Sequence, residues 1–170
     1  MANTYELITS VTVGSGGASS IDFTSISGTY TDLLIKCSLR TGEAAIYTDI
    51  DITLNGESAR QWQGLYAVTT SIGASQQTAF NIVATANGAN STASTFSNCD
   101  VYISNYNSSS GKAISGEGVA ENNSSTNWNN NISGNTVTNG AAVTSISLVP
   151  FGSNSFVQHS TAYLYGIKNS

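Results

Sequence analysis

The feature that most constrains this chain is a period of two in its apolar residues. Between residues 30 and 40, Leu33, Ile35, Cys37 and Leu39 alternate with Leu34, Lys36, Ser38 and Arg40. Successive side chains of a strand point to opposite faces, so this spacing predicts a strand with one face in a core and the other mostly in water. Ahead of it a second apolar run begins at Ile21, and the turn-like Ser27-Gly28-Thr29 separates the two. No segment carries the 3.6-residue apolar period of an amphipathic helix.

The pattern recurs along the chain. Residues 5–13 place Tyr5, Leu7, Thr9, Val11 and Val13 on one side, and their β-branched content favours a strand. Residues 49–54 turn Ile50, Ile52 and Leu54 inward and Asp49, Asp51 and Thr53 outward, and Asn55-Gly56 closes them with the strongest short hairpin signal of the chain. Further strands are expected at 20–23, 60–70 around Trp62, 78–85 around Phe80 and Ile82, 96–106, 142–149 and 160–168. Residues 112–121 read as a strand interrupted by Gly116 and Gly118, whose missing side chains suggest a bulge or a close approach of another backbone. Residues 73–77 read as a turn. Residues 122–140, the lowest in complexity, read as a long exposed loop or weak edge excursion carrying Trp128 and Ile132. Short strands with turn signals between them predict one all-β domain over residues 1–170, a jelly-roll β-sandwich of about eight to ten antiparallel strands in two sheets. Long interstrand loops suit Greek-key crossovers better than an up-and-down meander.

Composition narrows the function classes. A chain of 170 residues buries a sizeable core without metal or disulfide staples. Only 9% of its residues are charged, against roughly 25% in typical soluble domains, so its surface is built from hydroxyls and amides. The formal charge is −5, and the five basic residues, Lys36, Arg40, Arg60, Lys112 and Lys168, are scattered. Without a basic stripe to neutralise phosphates, neither nucleic acid nor an anionic membrane is an expected partner. The opening MANTYELITS has no cationic and apolar regions of a signal peptide, and no run approaches the roughly 20 apolar residues of a membrane helix, so synthesis in a cytoplasm is expected. Cys37 and Cys99 match no metal or redox spacing and read as two buried thiols.

Reactive groups are sparse. His159 is the sole histidine, no nucleophile elbow accompanies it, and it reads as a loop or strand-edge residue. Asp49 and Asp51 share a strand face, as paired carboxylates of glycoside hydrolysis or a calcium site would, yet simple alternation produces the same spacing. No catalytic residue, metal ligand or cofactor is therefore assigned, and a non-enzymatic role is expected. The better hint is aromatic. Trp62, Tyr66, Tyr102, Tyr106 and Trp128 are interleaved with Asn, Gln and Ser, a mixture suited to stacking on sugars or filling a protein interface. Tyr102, Tyr106 and Trp128 are the candidate partner or glycan contacts.

Five segments in order, YELITSVTV (5–13), IDFTSISGTYTDLLIKCSLRT (21–41), ITLNG (52–56), TFSNCDVYISNY (95–106) and VQHSTAYLYGIKNS (157–170), resemble small virion structural proteins of tailed bacteriophages. The resemblance covers nearly the whole chain and is densest in its first forty and last fifteen residues. It implies a jelly-roll domain, frequently trimeric, that serves as a capsid decoration or cement protein or as the terminal module of a tail fibre. The expected partners are two further copies of the chain and the major capsid protein on the outer capsid surface. The alternative is a location on the tail, with other tail proteins or a host glycan as partner. The resemblance brings no catalytic residues with it.

Overall fold

The computed structural model describes residues 4–57, 60–68, 70–120, 129–138 and 140–168. Among them are twelve strands: β1 (Tyr5–Thr12), β2 (Ile21–Phe23), β3 (Asp32–Leu39), β4 (Tyr47–Leu54), β5 (Arg60–Val68), β6 (Ser71–Gln77), β7 (Ile82–Asn87), β8 (Ser97–Ile103), β9 (Lys112–Ala120), β10 (Asn129–Val137), β11 (Ile146–Pro150) and β12 (Thr161–Ile167). They form a large sheet in the order β1-β12-β3-β8-β9-β10-β5-β6 and a small one in the order β2-β11-β4-β7. Every pairing of strand with strand is antiparallel. The chain passes repeatedly from one sheet to the other: β2, β4, β7 and β11 belong to the small sheet and the strands between them to the large one.

The core follows the alternation seen in the sequence. Leu33, Ile35 and Leu39 of β3, Val101 and Ile103 of β8, and Leu164 of β12 face Ile21, Phe23, Ile50, Ile52 and Leu148 of the small sheet, all essentially without solvent exposure. Each such side chain contributes on the order of 1.5–3 kcal/mol of burial free energy. Cys37 and Cys99 stand directly opposite one another on β3 and β8, buried and unbonded.

The two-sheet antiparallel sandwich agrees with the sequence, but twelve strands exceed the eight to ten expected. Both extra strands fall where composition argued for turn or loop. The SIGASQQ of β6 has little strand propensity, and it is extended because β5 offers it an unpaired ladder over seven residue pairs. β10 is no edge excursion. It lies between β9 and β5, paired over nine residues with each, and ladder bonds on both sides override the weak propensity of asparagine. Asn129, Asn131, Ser133 and Asn135 point inward while Ile132 faces out, the reverse of the usual arrangement. Trp128 lies outside the described residues.

Asn55 and Gly56 take the positive φ values, 52° and 70°, that their sequence suggested. They do not close a hairpin, because β4 and β5 belong to different sheets. Asn55 is instead a tie to the segment before β11, its side-chain oxygen accepting from the N–H groups of Thr144 (2.8 Å) and Ser145 (3.0 Å).

β7 is buried along its whole length. It packs against the inner surface of β9, and two glycines make this possible. A Cβ on Gly116 would stand 2.7 Å from the Cα of Val83, and one on Gly118 would stand 2.7 Å from the amide nitrogen of Thr85. The sequence-based expectation of a close backbone approach at these glycines is met.

Candidate functional site

Strands β10, β5 and β6 extend the large sheet past β7 and curl around it, so that this wing stands over the outward side of the small sheet. The geometry is legible in Asp51. On β4, Ile50 and Ile52 point into the core, which turns Asp49 and Asp51 outward. Yet Asp51 is not free in water: its Oδ2 receives the guanidinium Nη1 of Arg60, the first residue of β5, at 2.6 Å, and its Oδ1 accepts the Asn81 N–H at 2.9 Å. Arg60 also donates to the carbonyl of Glu57 (2.9 Å). This ion pair clasps the wing to β4.

Beside the clasp a cavity of about 330 Å³ opens between the wing and β4–β7. Tyr47 and Asp49 of β4, Trp62 and Tyr66 of β5, Ser75 and Gln77 of β6, Phe80 just before β7 and Ile82 at its start, and Asn129 and Asn131 of β10 line it. Both β5 aromatics lie over glycine. The Trp62 ring occupies the space a Gly64 side chain would need, with Cε2 2.9 Å from that Cβ position, and the Tyr66 hydroxyl sits 2.6 Å from the corresponding position on Gly73, its cross-strand partner. Rings so placed cover the backbone of those two glycines.

The polar lining is unusual. Eight buried side-chain atoms have no hydrogen-bond partner among the described residues, and they belong to Trp62, Asn81, Thr85, Asn129, Asn131 and Asn135. All six residues lie where the wing meets β7. Native folds leave few such atoms, because each costs about 1–3 kcal/mol when buried alone. Three of these residues, Trp62, Asn129 and Asn131, are among those that line the cavity, and their unpartnered atoms, the indole N–H, the Asn129 Oδ1 and both amide atoms of Asn131, are closed off from solvent. Burial, and secondarily the charge of Glu43, push the Asp49 carboxyl up to about 6. Burial and then the Asp49 charge also raise the Tyr47 phenol.

The residues singled out from sequence fare differently. Tyr102 stays partly exposed on the outer face of the large sheet, its hydroxyl donating to Asp32 Oδ2 at 2.7 Å; that bond first, then burial, push its phenol up to about 12. Tyr106 must be corrected. It is fully buried, its hydroxyl donating to the Ser27 carbonyl and accepting from the Tyr30 N–H at 3.3 Å, so it locks the loop before β3 and offers no surface to a partner. The two outward aspartates likewise part company: Asp51 is tied up with Arg60, and Asp49 alone reaches the cavity. His159 sits in a turn with φ of 73°, its N–H bonded to the Val13 carbonyl at 3.0 Å. No group of three or more His, Cys, Asp or Glu side chains gathers among the described residues.

Sequence reasoning missed Tyr47, Asn129 and Asn131. The only signal for the asparagines was the spacing of Asn129, Asn131, Ser133 and Asn135 at intervals of two, hidden because the alternating residue type was polar. The chain matches no family model, no curated protein and no solved structure.

Proposed function

We propose that this protein is a non-enzymatic structural component of a tailed-bacteriophage virion, most consistent with a decoration protein that binds the outside of the capsid lattice as a trimer. The alternation of β2, β4, β7 and β11 with strands of the opposite sheet supports reading the sandwich as a jelly roll, in keeping with the sequence resemblance.

The observation that carries the reading is the outer face of the large sheet. Leu65 and Ile132 are cross-strand partners there, 60% and 63% exposed, with Ala74 beside Leu65. In the neighbouring row Val119 pairs with Asn130, Asn130 with Ala67, and Ala67 with Ile72, which is 87% exposed. An exposed aliphatic patch on a sheet face is a surface for another protein. Towards β3 this face carries one ion pair, Lys36 bonding Asp100 at 2.5 Å, and beside it the exposed Glu117, the cross-strand partner of both Asp100 and Ile132.

Quantified protein bands from purified virions test the reading. Hundreds of copies per particle are expected, and a dozen or fewer would reject capsid decoration in favour of a tail location, where the second reading, a glycan-recognising fibre tip, is supported by the aromatic and amide lining of the wing cavity. Leu65→Asp together with Ile132→Asp should abolish binding to undecorated capsids while the isolated protein keeps its thermal stability.

A further inference from the structure

We propose that the cavity between the β10–β5–β6 wing and β4 is a binding site for a neutral sugar, one or two pyranose rings in size, held by Trp62, Tyr66, Asn129 and Asn131. The inference is independent of capsid decoration, since the aliphatic patch lies on the opposite face of the wing and both surfaces can be occupied together.

Three observations fix the ligand class. The volume of about 330 Å³ lies at the lower end of the roughly 300–1,000 Å³ of small-molecule sites, enough for a saccharide unit and too little for a folded segment. The lining combines rings packed over Gly64 and Gly73 with side-chain amides. A pyranose has the matching pair of surfaces, an apolar C–H face that packs on an aromatic ring and hydroxyls that both donate and accept. Asn131 is 94% buried by its 6% exposure and has both amide atoms unpartnered; Trp62 at 5% and Asn129 at 3% exposure add an unpartnered donor and acceptor. A purely apolar ligand would leave these groups unsatisfied, whereas a sugar hydroxyl serves donor and acceptor alike.

Charge excludes the other polar candidates. No lysine or arginine is among the described residues that line the cavity, and the nearby Arg60 is committed to Asp51, so a phosphate, sulfate or uronate would meet Asp49 with none of them to offset it. An uncharged ring accepts Asp49 in either protonation state as a hydrogen-bond partner.

The test uses the full chain carrying Trp128→Phe, which leaves Trp62 as the single indole. Methyl glucoside, methyl galactoside, methyl mannoside, N-acetylglucosamine and N-acetylgalactosamine are titrated, with methyl glucuronide as the anionic comparison. Indole emission and saturation transfer to the sugar protons are read on the same samples. At least one neutral sugar should give a saturable change, and Asn131→Ala and Tyr66→Ala should each weaken it about tenfold or more, the scale of one lost buried hydrogen bond or stacked ring. Asn131→Ala should also leave the melting temperature unchanged or higher, because an unsatisfied amide has been removed. Silence of all five neutral sugars up to their solubility limits in both readouts, preference for the glucuronide, or undiminished binding by both variants overturns the proposal.

Discussion

Gly116 of β9 lies so close to Val83 of β7 that a single added methyl group would stand 2.7 Å from the Val83 Cα. The obstacle is backbone, which cannot rotate away as a side chain would. This contact lets β7 sink against the large sheet, and the sinking of β7 in turn lets β10, β5 and β6 close over its other side.

Gly116→Ala is therefore expected to destabilise the fold by about 2–3 kcal/mol or more, the cost of forcing extra volume into a packed interior. Gly134→Ala is the comparison, since a Cβ there meets nothing within 4 Å, and it should change stability by less than about 0.5 kcal/mol. Urea denaturation of the two variants beside the parent decides the matter. Equal effects would mean that the two sheets can move apart without loss.

The Asp51–Arg60 clasp predicts a local effect as well as a global one. Both side chains are largely shielded, 19% and 13% exposed, and Arg60→Ala would leave the Asp51 carboxylate with the Asn81 N–H as its remaining bond among those described here. A loss of about 1–3 kcal/mol is expected, below the roughly 3–5 kcal/mol of a fully buried pair. Amide exchange in β5 and β6 should accelerate more than in β3 and β8. Uniform acceleration would show that the wing and the core unfold as one unit.

Asp49 makes stability depend on pH. Its carboxyl moves from an ordinary value of 3.8 to about 6 in the fold, through burial first and Glu43 second. The native state thus holds this proton more tightly than the unfolded chain, so the group's unfavourable contribution is absent below about pH 4, grows between 4 and 6, and is complete above 6. Asp49→Asn should melt at a higher temperature than the parent at pH 7–8, by the equivalent of about 1–3 kcal/mol. The two melting temperatures should converge near pH 4. A difference that stays constant from pH 4 to 8 would contradict this origin.

Cys37 and Cys99 are opposed across β3 and β8 and fully enclosed. The hydrogen bond to Cys99, and then burial, raise the Cys37 thiol well above its usual value, which suppresses the reactive thiolate. A chromogenic disulfide reagent should therefore titrate no thiol in the native protein at pH 8 and two in denaturant. Fast reaction of either thiol in the native state would contradict the burial.

The sequence by itself determined the class of fold and the make-up of its core. An apolar period of two can be satisfied only by strands with one buried face, so the alternation around Ile35, Ile52 and Val101 sufficed to call a two-sheet sandwich. The same local information narrowed Gly116 and Gly118 to a bulge or a close approach of another backbone, because a glycine inside a strand pattern has few other uses. Tertiary structure decided the wing and its cavity. β10 and β6 carry no apolar period and are held extended by the ladders of β9 and β5, partners that no local reading supplies. Tyr106 and Trp62 illustrate the same limit, since their sequence neighbours are polar while their enclosure comes from strands and loops distant in the chain. Asp49 and Asp51 are equivalent by alternation, and only the position of Arg60 on the curled wing makes one the half of an ion pair and the other part of a binding surface.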